Sequence, residues 1–193
     1  MIRCIDLTTS EREHVSLDIT PGSFVYLAGE DAPEILSLMT GGTAPDAGSI
    51  DVDGINIAAL PRPLLELYRR KLGCMLYETP LVPFWTVRDN CAVLLDTPSV
   101  DSALSRQLLA SCGIADLLDF MPDDLSSDEE SKVLLARALI HQPQIVLVDM
   151  SVIDARSHTF VLDILETASR QGMTVIIAGI DPTLATAKGM VVM

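Results

Sequence analysis

Apolar and polar residues alternate with period two over Val15–Ile19, the pattern of a strand with one face in water, and Pro21-Gly22 follows as a turn. Ser23–Ala28 is instead a continuous apolar run bounded by glycine, as expected of a strand buried on both faces. Ile145–Val148 and Thr174–Ala178 read the same way, and shorter strands are predicted at Ser49–Val52, Leu72–Tyr77 and Met190–Val192. Between them the period lengthens to that of helices: about Pro33 to Thr40, closed by Gly41-Gly42, then Arg62–Lys71, Ser126–Ile140 and Phe160–Arg170, which stops at Gly172. Ser126 with Glu129 three residues on forms a capping box, and Val133, Ala136, Leu139 and Ile140 mark that helix's buried face. From about Asp89 to Asp124 the chain is helical and loop-rich, with Leu108, Leu109, Leu117 and Leu118 at helix spacing. Strands alternating with helices imply an α/β sheet. No repeat or linker interrupts it, so one domain with a helical insertion is expected.

Composition narrows the function classes. The 193 residues carry 27 acidic against 13 basic side chains, a formal charge of −14, and 49% are hydrophobic. Disorder is excluded by that apolar content. Nucleic acid is a poor fit as ligand, because its binding draws on clustered Lys and Arg. Only Arg69-Arg70-Lys71 is densely basic, and it reads as a solvated helix end. No apolar run reaches the roughly 20 residues of a membrane-spanning helix, and the opening segment lacks a secretory signal's apolar core. Cys4, Cys74, Cys91 and Cys112 form no C-x-x-C pair, and His14, His141 and His158 show no ligand spacing. No metal site is expected, and the cytoplasm is the expected compartment.

Leu125–Asp149 (LSSDEESKVLLARALIHQPQIVLVD) resembles, without a gap, the segment from signature motif to Walker B strand of ATP-binding-cassette (ABC) ATPases. Ala136-Arg137-Ala138-Leu139, Pro143 and the apolar strand ending in Asp149 fall where that family has them. Other parts agree in order: Ile19–Ser23 before the first core strand, Pro45–Ile50 with Asp53-Gly54 as a hairpin, Thr86-Val87 and Asn90 at the end of a Q-loop region, and Thr174–Asp181 as strand and switch. The resemblance is closest to the cell-division and lipoprotein-release branch. It implies a P-loop-NTPase-like α/β core, a mixed sheet flanked by helices, over about 1–88 and 126–193, with a helical subdomain at about 89–125.

The same resemblance shows which parts of the family's chemistry are replaced. Glycine amides, a Lys and a Ser/Thr ligand to Mg²⁺ normally cradle the triphosphate. The corresponding stretch here, Gly29-Glu30-Asp31-Ala32-Pro33-Glu34, is shorter and keeps only its first glycine. It has no Lys, and it brings three carboxylates. Two like charges about 4 Å apart cost about 4 kcal/mol at an effective dielectric near 20. Two readings of these acids stand open. Either Glu30, Asp31 or Glu34 satisfies the helix N-terminus where phosphate would sit, or Asp31 is an ordinary N-cap before Pro33. Met150 stands in the place of the catalytic glutamate after Asp149, and Ile180 in that of the switch histidine before Asp181. Tyr77, beside Glu78, takes the place of the Q-loop glutamine. The signature glycines become Ser127 and Asp128 after Ser126, so a carboxylate would face a partner's γ-phosphate, while Asp154 matches the D-loop aspartate at the dimer interface.

With these parts replaced, no catalytic residue is expected, nor any bound cofactor, and the resemblance implies a pseudo-ATPase. Such a subunit would scaffold or regulate a permease-like membrane complex, pairing with itself or with another ABC ATPase at the inner face of the membrane. The expected permease contact is Leu81, Val82, Pro83, Phe84 and Trp85, although Phe84 and Trp85 equally suit a seam between core and helical part. Two alternatives remain open. One is an ATP-binding subunit that still binds ATP and Mg²⁺ weakly and slowly hydrolyses nucleotide at a site rebuilt with Arg62, Arg69 or partner residues. The other is a soluble interaction module.

Overall fold

The continuous apolar runs form the central strands of the computed structural model, which describes residues 1–9, 14–95, 99–179 and 190–192. In chain order the elements are β1 (Ile2–Leu7), β2 (Val15–Ile19), β3 (Phe24–Tyr26), α1 (Ala32–Met39), β4 (Ser49–Val52), β5 (Ile55–Asn56), α2 (Arg62–Arg69), β6 (Leu72–Met75), α3 (Val87–Ala92), α4 (Ala103–Ser111), α5 (Ser127–Leu139), β7 (Ile145–Asp149), α6 (His158–Arg170), β8 (Thr174–Ala178) and β9 (Val191–Val192). A five-stranded parallel sheet runs in the order β6-β7-β8-β3-β9. A four-stranded antiparallel sheet, β2-β1-β4-β5, lies beside it. The expected mixed sheet is thus resolved into one parallel and one antiparallel sheet.

Period-two geometry sends successive side chains of the parallel strands to opposite faces. Val146, Val148, Val175 and Ile177 enter one core with α5 and α6. Ile145, Leu147, Ile176 and Ala178 enter a second core with α1 and the antiparallel sheet. Residues of the helical insertion, Val100, Leu109, Cys112 and Ile114, belong to the first of these cores.

The pattern does not predict strand β1, yet it is one of the two inner strands of the antiparallel sheet, with Ile2, Cys4 and Leu7 buried. The alternation Ile2-Arg3-Cys4 was the available signal. It is interrupted after Cys4, where Asp6 takes a positive φ of 55° and the register with β2 shifts. Arg3 pairs with Asp18 directly across on β2 (2.8 Å).

Helix α5 exceeds its predicted single buried face: Val133 through Leu139 are all buried. It lies between β6, α3 and α4, and such all-round burial demands close approach. Gly73 on β6 supplies it, because a Cβ there would collide with the carbonyl oxygen of Ala138. The hairpin glycine Gly48 plays the same part for β1. Its φ is +83°, and a Cβ would collide with the carbonyl oxygens of Ile5 and Asp6.

Candidate functional site

Parallel strands share a carboxyl end, and in α/β sheets that end carries the ligand crevice. Here it brings together the loop after β3 (Gly29–Asp31), Asp149 and Met150 after β7, Gly179 after β8, and Tyr77-Glu78 two residues beyond β6. Ile180 and Asp181 lie outside the described residues.

The loop into α1 is closed around its own acids. Gly29 adopts φ +128°, and its carbonyl accepts the Ala32 N–H at 3.3 Å. Pro33 has no N–H to offer, and the Ile35 N–H donates to the Asp31 carbonyl at 3.0 Å. Asp31 sits at the N-cap position, but its carboxylate makes no capping bond. The N-cap expectation is corrected. Only 1% exposed, Asp31 accepts a hydrogen bond from the Thr9 hydroxyl at 3.1 Å, tying the loop to the segment after β1. Glu30 is exposed and Glu34 half-buried. Glu78 accepts a hydrogen bond from Ser37 on α1 at 3.1 Å, while Tyr77 is fully displayed to solvent.

Asp149 ends β7 with its carboxylate buried and accepting the Ser151 N–H at 2.9 Å. Gly179 presses on it from β8: a Cβ there would lie 2.8 Å from Asp149 Oδ1. Met150, in the place of a catalytic glutamate, turns into the core and is fully buried. The His158 ring nitrogen Nε2 lies 3.2 Å from its carbonyl oxygen.

These residues do not fit a Mg²⁺-bound triphosphate. No Lys or Arg stands between Ala28 and Thr40, and the first turn of α1 holds no hydroxyl. Of its amides, those of Ala32 and Ile35 are already used and Pro33 has none. Arg69, expected as a substitute cation, is committed elsewhere. Its Nε and Nη2 donate to the carbonyls of Thr40 and Gly41 (both 3.1 Å), so it caps the opposite, carboxyl end of α1. The "solvated helix end" reading is corrected for this residue.

A second cluster gathers at the start of α5. Ser126 and Glu129 form the foreseen capping box, with the Ser126 N–H 2.8 Å from Glu129 Oε2. The neighbouring Ser127 carbonyl accepts from the Ser131 hydroxyl (2.8 Å), and that hydroxyl accepts the Asp154 N–H at 3.0 Å. Asp128 does not project freely toward a partner. Its carboxylate is held by Lys132 Nζ and by the Ser157 hydroxyl, each at 2.6 Å, and these hydrogen bonds hold its pKa below the ordinary value. Lys132 also lies over the Phe160 ring, 5.6 Å from its centroid. Asp154 is gripped by Arg156, whose hydrogen bonds lower its pKa to about 2.

Between the clusters lies the loop 79–86. Asn90, fully buried, holds it from within. Its Oδ1 accepts the Val82 N–H at 2.8 Å, and its Nδ2 lies 3.1 Å from the carbonyls of Val82, Trp85 and Thr86. Arg137 of α5 supports the same loop from below, donating to the carbonyls of Thr79 and Pro80. That buried role of Arg137 was not legible, since the ARAL pattern marks a helix without saying which way its Arg turns. The loop displays Phe84 at 86% exposure and Trp85 at 39%, with Pro83 also exposed. Filling a seam is therefore not what Phe84 does. Leu81 is buried in the core, so it leaves the expected contact surface, and Val82 is half-buried.

Among the described residues no cluster of His, Cys, Asp and Glu could hold a metal ion, and no helix is long and apolar enough to cross a membrane. The family profile described as "ABC transporter" matches residues 13–151. An uncharacterized ABC transporter ATP-binding protein of Mycobacterium tuberculosis is 31% identical over 183 residues, covering 89% of this chain and 74% of that protein. The cell division ATP-binding protein FtsE of the same species is 26% identical over 175 residues, covering 86% and 76%. An aliphatic sulfonates import ATP-binding protein SsuB of Cupriavidus necator is 32% identical over 180 residues, covering 90% of this chain and 57% of its own. In fold, the chain superposes on the dimeric ATP-binding cassette MJ0796, solved with ADP and Pi, at a TM-score of 0.80 and 22% identity, covering 96% of this chain and 90% of that one.

Proposed function

The chain belongs to the ABC transporter family, and on that premise we propose that it is a cassette subunit whose nucleotide site no longer works and whose surfaces still do. Domains of this family pair with one another and with membrane permease subunits. In this reading the chain scaffolds or regulates a permease-like complex from the inner face of the membrane, with core about 1–88 and 126–193 and helical part about 89–125. The observation that carries it is the loop into α1: a buried Asp31 and two further acids stand where a polyanion would have to sit, and the loop itself contributes no Lys or Arg. The burial of Met150 and the internal pairing of Asp128 support the same conclusion, since each leaves a catalytic task without a group to perform it. The permease-facing surface is assigned to Pro83, Phe84 and Trp85 with half-buried Val82, because rigidly held exposed aromatics are typical binding anchors.

One observation favours a second reading, in which nucleotide still binds weakly. Asp149 remains at the end of β7, its carboxylate positioned by Ser151. Calorimetric titration with ATP and Mg²⁺ up to millimolar nucleotide separates the two. The scaffold reading expects no heat of binding. Saturation in the micromolar range, worth about 8 kcal/mol, and lost in Asp149→Ala, would replace it with a rebuilt nucleotide site.

A further inference from the structure

The aromatics of the 79–86 loop are not alone on their face. Two backbone hydrogen bonds, from the Val87 N–H to the Phe120 carbonyl and from the Arg88 N–H to the Leu118 carbonyl (both 2.9 Å), lay residues 118–120 alongside the start of α3. Phe120, 45% exposed, thereby stands beside the loop that displays Phe84 and Trp85. Neighbouring exposed rings of this kind mark a contact surface.

The charge around these rings is one-sided. Between Gln107 and Ser131 the sequence holds seven acids and no Lys or Arg, a density well above the chain's 27 acids in 193 residues. The loop 77–86 adds Glu78 and no base. The nearby cations are already committed. Arg137 is buried beneath the loop and spent on its carbonyls, Lys132 is held by Asp128, and Arg88 is answered by Asp119 and Asp101 at 3.2 and 3.8 Å. Asp123, exposed on the single turn that follows Phe120, has no hydrogen-bond or ion-pair partner among the described residues.

Ring faces attract cations through their quadrupole, and uncompensated carboxylates beside them attract the same charge. Both features select one occupant, a segment that is apolar and basic at once. Anionic lipid is disfavoured by the same acids. Cytoplasmic loops of integral membrane proteins carry the required excess of Lys and Arg.

We propose that this surface takes a basic amphipathic segment of the membrane partner, with its apolar side chains on Phe84, Trp85 and Phe120 and its Arg or Lys beside Asp119 and Asp123. The source of that segment rests on the scaffold reading. Its basic character rests on the rings and acids alone.

Trp85 is the chain's only tryptophan, so its emission reports on this surface directly. The purified chain is titrated with a tryptophan-free peptide of leucines and arginines, and with two others in which glutamine or glutamate replaces every arginine. The arginine peptide is expected to saturate with a blue shift of Trp85 emission, the glutamine peptide to bind about tenfold more weakly, and the glutamate peptide not at all. Asp123→Lys and Phe84→Ala, both at exposed positions, are expected to weaken arginine-peptide binding about tenfold with circular dichroism unchanged. Asp18→Lys, the same change of charge at an exposed position of β2, is expected to leave that binding unchanged. Equal affinity for all three peptides, or no saturation, overturns the proposal without recourse to any variant. Equal weakening by Asp18→Lys and Asp123→Lys would reduce the attraction to net charge and overturn it too. So would a Trp85 shift with phosphatidylglycerol vesicles, which would assign the face to lipid, or a sedimenting dimer that Phe84→Ala disperses, which would assign it to a second copy. Failure of the scaffold reading itself is seen in the nucleotide calorimetry, so the two are told apart.

Discussion

Single residues here do the work of whole motifs. Asn90 accepts one backbone N–H of the 82–86 loop and shares its two amide protons among three of its carbonyls, and buried polar groups stripped of a partner cost about 1–3 kcal/mol. Asn90→Ala is expected to destabilise the chain by about 2–3 kcal/mol in urea unfolding. It should also loosen the loop, which the emission of the lone tryptophan, Trp85, will report as a red shift. An unchanged midpoint and spectrum would show that the loop holds itself. Asp154 makes a prediction in pH. Arg156 holds its carboxyl at about 2, whereas an unfolded chain's carboxylate titrates near 3.9. A carboxyl depressed in the folded state stabilises above the unfolded value and loses that contribution as pH falls through the folded one. Stability therefore declines from about pH 4 toward pH 2, and Asp128, also lowered, adds in the same direction. Denaturation of Asp154→Asn at pH 7 and pH 3 should show a smaller difference between the two than the parent shows.

At the scale of elements, contact between α5 and β6 decides how the two halves of the chain meet. Gly73 has an ordinary φ, so its requirement is for space, not for conformation. Gly73→Ala must push the strand away from the carbonyl of Ala138, and overpacking of this kind costs about 1–3 kcal/mol. Because α5 also carries Arg137 beneath the 79–86 loop, the same change should weaken whatever the loop binds. Thermal unfolding combined with partner binding checks this, and a variant as stable as the parent would mean that α5 slides freely. The capping box at Ser126 and the two cores divided by the parallel sheet follow from local pattern and period alone.

For the whole molecule the proposed role is decided at surfaces. Phe84 and Trp85 project from a loop braced by two elements, so their removal costs little stability. The doubly truncated Phe84→Ala, Trp85→Ala chain is expected to melt within about 0.5 kcal/mol of the parent. If the proposed permease contact is here, it is also expected to lose co-purification with a permease subunit from detergent-solubilised membranes. Retained capture would move the permease contact elsewhere. With 27 acids against 13 bases, the chain commits most of its described cations internally.

Much of the fold was legible in the order of residues. Continuous apolar runs specify strands buried on both faces, and capping residues and glycines bound the helices, because these signals act over one or two turns of chain. The family resemblance was legible for the same reason: its motifs are contiguous. What side chains meet across the fold was not. Asp31 looks like an N-cap in sequence, but its carboxylate is held by Thr9, 22 residues away. Arg69 looks like a solvated cation until it is found capping α1, and Leu81 looks like a surface residue until it is found in the core. Asp128 looks free for a partner until Ser157 closes on it. A side chain's local pattern records its propensity, whereas the partner of a buried charge is fixed by which distant segment packs beside it, and that only tertiary packing decides.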